Sequence, residues 1–79
     1  MINYKITVKY NIEDNTSNFV DVFVYYFTKT ETEEMAITKI FNLLNNNSEL
    51  REIPYNGHVY MIPTNTAVIV GAQEVIIPN

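Results

Sequence analysis

His58 is the one histidine of the chain, and no cysteine accompanies it. An imidazole works as a general base when it sits beside a nucleophile and a third group orients it. Ser17, Ser48 and the carboxylates could fill those roles, but no spacing brings them to His58. Asn56-Gly57, a turn pair, comes just before it, so His58 reads as an exposed residue at the start of a strand. One histidine without cysteine also lacks the ligand set of the usual zinc sites, and thiol and disulfide chemistry are excluded.

Carboxylates fall in two clusters, Glu13-Asp14 and Glu31, Glu33 and Glu34. Paired carboxylates can run acid–base chemistry. Here each cluster has a simpler role. Glu13-Asp14 opens a polar turn. Thr30 followed by Glu33 fits a capping box, and all three glutamates fall in a first helical turn, where free N–H groups favour anions. The same residues make a negative corner, with Glu49 and Glu52 as candidates to enlarge it. Such a corner can steer association with a basic protein surface. Neither cluster has the alternating oxygen ligands of a calcium loop, and Gly57 and Gly71 do not form a phosphate-binding loop. The sequence therefore predicts no catalytic residue, cofactor or metal.

Cations and aromatics give a third possibility. Lys5 and Lys9 share one face of a strand, with Lys29 a candidate neighbour. Small sheets with exposed aromatics can stack the bases of a single strand. Nine acids against five bases, a net charge of -4, oppose binding to nucleic acid or to an anionic membrane surface. Weak single-stranded nucleic-acid binding through Lys5 and Lys9 is thus an alternative, and a small enzyme ranks below it. Tyrosine suits interfaces because its ring is apolar and its hydroxyl can hydrogen-bond. Among the six, Tyr25, Tyr55 and Tyr60 are the contact candidates: Tyr25 shares a face with Asp21, and Tyr55 lies beside a turn.

The elements that position these residues follow from period. Tyr4, Ile6, Val8 and Tyr10 alternate with Lys5, Thr7 and Lys9, a half-buried strand. Residues 13–18 form a polar turn. Phe19–Thr28 is a second strand, apolar on both faces, pairing with the first as an antiparallel hairpin. A helix is predicted from about Glu31 to Asn45, with Ile37, Ile40, Phe41 and Leu44 as its apolar stripe, widened by Ala36 and Leu43. Asn45 to Asn47 end it. Three short pieces follow: Leu50–Pro54, His58–Pro63 after a type I′ turn at Asn56-Gly57, and a closing run from Ala67 to Pro78, one bent strand or a hairpin, with a bulge or turn near Gly71. The predicted fold is one α+β domain over residues 1–79, a small antiparallel sheet of four to five strands with one helix, in the order β-β-α-β-β-β.

One helix covers one face of one sheet. The second strand is apolar on both faces, so something should cover the remaining face: a second copy, which makes a homodimer the expectation, with a sheet curled into a partial barrel as the alternative. The N-terminal stretch alternates rather than presenting the basic head and apolar core of a secretory signal, and no apolar run reaches transmembrane length. A cytoplasmic location without membrane partners is expected. Eleven asparagines suggest AT-rich coding, as in a low-GC bacterium or its phage. Together these features predict a noncatalytic protein-interaction module. Its sharpest form is a small phage or mobile-element inhibitor that occupies a basic surface of a host or defence enzyme, with Glu31, Glu33, Glu34, Tyr25, Tyr55 and Tyr60 as contacts.

Overall fold

Strict alternation along the first strand governs the architecture. In the computed structural model, which describes residues 1–46 and 49–76, this strand (β1, Ile2–Glu13) buries Tyr4, Ile6, Val8, Tyr10 and Ile12 on one side. The chain is a small α+β fold with one helix and antiparallel strands in the order β-β-α-β-β-β. β2 (Phe19–Thr30) pairs with β1 in unbroken register, from Ile2 opposite Thr30 to Glu13 opposite Phe19. β5 (Val68–Glu74) pairs with the other side of β1, giving a three-stranded sheet in the order β2-β1-β5. β3 (Leu50–Tyr55) and β4 (His58–Pro63) form a separate hairpin. A short 3₁₀ turn, Thr64–Thr66, joins β4 to β5. Twelve-residue strands rise about 40 Å, which accounts for the 43 Å long axis of the molecule.

The β1–β2 connection is held by one carboxylate. Asp14 Oδ1 accepts hydrogen bonds from the Thr16 amide (2.8 Å), the Thr16 hydroxyl (2.6 Å) and the Asn18 amide (3.0 Å). These donors lower the Asp14 pKa. Ser17 takes a left-handed conformation there, with φ 63°. The β3–β4 turn needs no such device. Asn56 and Gly57 have φ of 49° and 77°, the pair of positive angles that a type I′ turn demands.

The helix (α1, Glu33–Asn45) starts two residues later than the capping-box reading places it. Thr32, not Thr30, is its N-cap, and its hydroxyl oxygen accepts from the Met35 amide at 3.2 Å. Thr30 is the last residue of β2. It is buried, and its hydroxyl donates to the Thr32 carbonyl at 2.7 Å. The capping-box spacing favours Thr30, which has Glu33 three residues on where Thr32 has Met35, but Thr30 is committed to the strand. At the far end, Asn46 caps the helix in right-handed geometry, donating its amide to the Asn42 carbonyl. Asn47, expected to share in ending the helix, lies outside the described residues.

Helix and hairpin divide one face of the sheet between them. Ala36, Ile40 and Leu44 of α1 and Ile53 of β3 join the β1 residues in one core. Phe41 and Leu43, read as core, are half exposed instead. Three strands spaced about 4.8 Å apart offer little more width than one helix, so the flanks of α1 overhang the sheet. The closing run is one strand, not two. β5 ends at Glu74, and its bulge falls at Val70, where Val8 faces Ile69 and Thr7 faces Gly71. Pro78 lies outside the described residues.

Neighbouring residues on opposite faces of β1 test this arrangement. Ile6→Ala should cost about 3 kcal/mol, while Thr7→Ala stays within about 0.5 kcal/mol, both read from urea denaturation. Thr32→Ala should cost about 1 kcal/mol through loss of the cap.

Candidate functional site

Pairing β1 with β2 in this register puts the odd-numbered residues of both strands on the face away from helix and hairpin. Lys5 lies opposite Phe27, Thr7 opposite Tyr25, Lys9 opposite Phe23, Asn3 opposite Lys29 and Glu13 opposite Phe19. No described element covers these aromatics. Phe19 is 70 % exposed, Phe27 67 %, and Phe23 and Tyr25 52 % each. The Lys5 ammonium stands 4.8 Å from the centre of the Tyr25 ring, a cation–π contact across the strand diagonal. Asn11 donates to Asp21 across the strands at 3.0 Å. The result is an apolar ladder along β2 interleaved with ammonium groups along β1. Lys5, Lys9 and Lys29 share this open aromatic face but are spread along it, Lys29 opposite Asn3 and Lys9 opposite Phe23.

The six contact candidates lie in three places. Tyr25 belongs to the outer face. Tyr60 is half buried on the hairpin, where its hydroxyl oxygen accepts from the Asn15 amide at 3.1 Å. Tyr55 is half buried beside the β3–β4 turn. Glu31, Glu33 and Glu34 are exposed at the helix start. Glu49 and Glu52 do not enlarge that corner. The Thr64 amide donates to the Glu49 carbonyl and its hydroxyl to the Leu44 carbonyl, which puts the Glu49 segment at the helix C-terminus. Glu74 joins the corner instead. Tyr4 has a raised pKa, first because it is buried and then because Glu74 and Glu33 both lie near it. Phe19, Phe23 and Phe27 belong to the site although sequence reasoning left them off the contact list. Their shared parity with Tyr25 was the available signal.

His58 is exposed, and its Nε2 lies 3.1 Å from Asn15 Nδ2. No carboxylate among the described residues hydrogen-bonds it, and it lines none of the four main grooves. No three histidine or acidic residues among those described are placed to share a metal ion. No described helix is long and apolar enough to cross a membrane.

A tyrosine pair links the core to the hairpin. Tyr10, fully buried, shares a 3.0 Å hydrogen bond with the Tyr26 hydroxyl, and Arg51 Nη1 donates to the Tyr26 oxygen at 3.0 Å. The guanidinium also stacks 4.8 Å from the centre of the Tyr26 ring. This chain ties β3 to β1 through β2. Burial, then the bond to Tyr26, raises the Tyr10 pKa, with Arg51 acting the other way.

Comparison with models of protein families, with characterised proteins and with solved structures finds no match to this chain.

Two measurements check the polar features. Tyr26→Phe leaves the buried Tyr10 hydroxyl without a partner and should cost about 1–3 kcal/mol, whereas Tyr10→Phe, which leaves Tyr26 bonded to Arg51, should cost about 1 kcal/mol or less. The Tyr10 contribution is complete below the ordinary tyrosine value of about 10 and is lost as the pH rises toward the elevated value. For Asp14 the sign is opposite. Its pKa is depressed, so its contribution is complete above the usual carboxylate range and is lost as the pH falls through the lowered value. Asp14→Asn should therefore lower stability at neutral pH and flatten the acid limb of a stability-against-pH curve.

Proposed function

We propose that this chain is a noncatalytic protein-interaction module that docks through the outer, aromatic face of its three-stranded sheet. The observation that carries the reading is the uncovered row Phe19, Phe23, Tyr25 and Phe27. Aromatics at alternating positions of a rigid strand lose little freedom on binding and make strong anchors. A contiguous apolar patch of this kind marks an interaction site more often than it tolerates water. Lys5, Lys9 and Lys29 rim the patch, so the partner it fits has an apolar centre and acidic edges. A second copy is compatible with this face, since a twofold interface pairs a residue with a different residue of the partner and the face carries Glu13 and Asp21 beside its three lysines.

The sharper form, a small cytoplasmic inhibitor from a phage or mobile element, would engage a basic enzyme surface through Glu31, Glu33 and Glu34. It draws on the acidic corner and the net charge of -4 rather than on the sheet. Capture of a partner from host lysate by three forms of the protein separates the two surfaces. Phe23→Ser with Phe27→Ser should lose the partner, each change costing about 2 kcal/mol, roughly 30-fold in affinity. Glu31→Gln, Glu33→Gln and Glu34→Gln together should keep it. The reverse pattern would move the function to the corner.

Single-stranded nucleic acid is the second reading, favoured by the Lys5–Tyr25 stack and the placement of three lysines on that face. Glu13 and Asp21 on the same face, and the overall charge, weigh against it. Fluorescence anisotropy with a labelled thymidine oligonucleotide at low salt decides. The protein reading expects no binding. Saturable binding that Lys5→Glu with Lys9→Glu abolishes would give the face to nucleic acid.

A further inference from the structure

We infer that the partner of the outer face is a second copy of this chain, packed sheet against sheet about a twofold axis that crosses the strands midway between the Thr7–Tyr25 and Lys9–Phe23 pairs. The inference rests on the proposed reading of this face as the docking surface and names its occupant.

The charges of the face are sorted along the strands. The Asn3–Lys29 and Lys5–Phe27 pairs lie at one end, and the Asn11–Asp21 and Glu13–Phe19 pairs lie at the other, beside the β1–β2 turn. Two of the three lysines therefore occupy the open end, and Glu13 and Asp21 the turn end. Such a face is complementary to itself once it is reversed. Packed sheets lie about 10 Å apart with their strands within about 30° of each other. A twofold axis along the strands would stack like ends, Lys5 and Lys29 against their own counterparts and Glu13 and Asp21 against theirs. An axis across the strands reverses one copy. Lys29 then comes level with Glu13 of the other copy, and Lys5 comes level with Asp21 of the other copy. Lys9 stands diagonally from Asp21 of its own copy, so each of these carboxylates faces an ammonium group and Asp21 faces two. Charge thus selects both the occupant and its direction.

The centre of the reversed pair is apolar. Phe23 of each copy comes over Tyr25 of the other, a cluster of four rings at the axis. Phe19 comes over Lys29 of the other copy, which repeats between copies the contact that Lys5 makes with Tyr25 inside one. On β5 the outward residues include Val68, opposite Lys9, and Gly71, opposite Thr7. Reversal sets Val68, 52 % exposed in the single chain, over a glycine that has no side chain to obstruct it. An apolar centre with acidic residues at its margin is what the lysine-rimmed face calls for, and this chain supplies both. A protein captured from lysate through the same face would displace the second copy.

The test uses the whole chain. Sedimentation velocity should give twice the 9.2 kDa chain mass. Phe23→Ser with Phe27→Ser should return it to the single mass. Lys5→Glu with Lys29→Glu makes both ends of the face acidic, and Glu13→Lys with Asp21→Lys makes both ends basic, so each variant alone should sediment as a single chain. An equimolar mixture of the two should regain the double mass, a rescue that misfolded chains would not give. A mixture that stays at the single mass overturns the reversed pairing. A wild-type chain of single mass at every concentration overturns the inference outright; if Phe23→Ser with Phe27→Ser still abolishes capture from lysate, the docking face stands and belongs to another protein. A dimer that survives Phe23→Ser with Phe27→Ser also overturns it, by placing self-contact elsewhere, and the docking reading falls with it only if capture survives those changes too.

Discussion

Everything in this molecule is arranged around one strand that must hide one side. β1 is flanked on both edges, and five consecutive inward residues, Tyr4, Ile6, Val8, Tyr10 and Ile12, are removed from water. A single helix of 13 residues is too short to shield a strand of 12, because a residue advances about 1.5 Å along a helix and about 3.3 Å along a strand. The β3–β4 hairpin completes the cover. That division explains why a separate two-stranded element exists, and why a half-buried arginine–tyrosine–tyrosine chain secures it.

The same constraint segregates charge and grease on the surface. Once the even-numbered residues of β1 are committed inward, Lys5 and Lys9 are forced to the other side, where the register sets them among Phe23, Tyr25 and Phe27. Three of the five cations, Lys5, Lys9 and Lys29, thus sit on one face of an acidic chain. The carboxylates of Glu33 and Glu74 gather at the base of the sheet near Tyr4. Net charge therefore describes this protein poorly. Its cations are concentrated on one side of a molecule 17 Å thick, where Glu13 and Asp21 also lie.

Period two was fully legible in the residues. It placed β1, the hairpin with β2, and the parity that makes the outer face. Asn56-Gly57 announced its turn because few other pairs accept two positive φ angles. A local signal misplaced the helix start: Glu33 makes Thr30 the capping-box candidate, but the sheet buries Thr30 as the last residue of β2 and leaves the cap to Thr32. Phe41 could not be recognised as exposed because its status depends on how many strands lie beneath the helix. Glu74 joining Glu33 is likewise a product of long-range packing. The aromatic ladder was readable as a pattern, but whether anything covered it depended on which side the hairpin chose.

The bulge at Val70 has a bearing on chain length. Pairing on either side of that residue keeps correct inside–outside alternation, with Ile69 and Ala72 inward and Val68 and Gly71 outward. β5 accordingly holds one residue more than β1 requires. Excising it would close a regular ladder without moving any other side chain to the wrong side. Anywhere else along β1 or β5, an insertion or deletion would turn the core inside out. Tolerance to a change of length within this sheet is thus concentrated in one position.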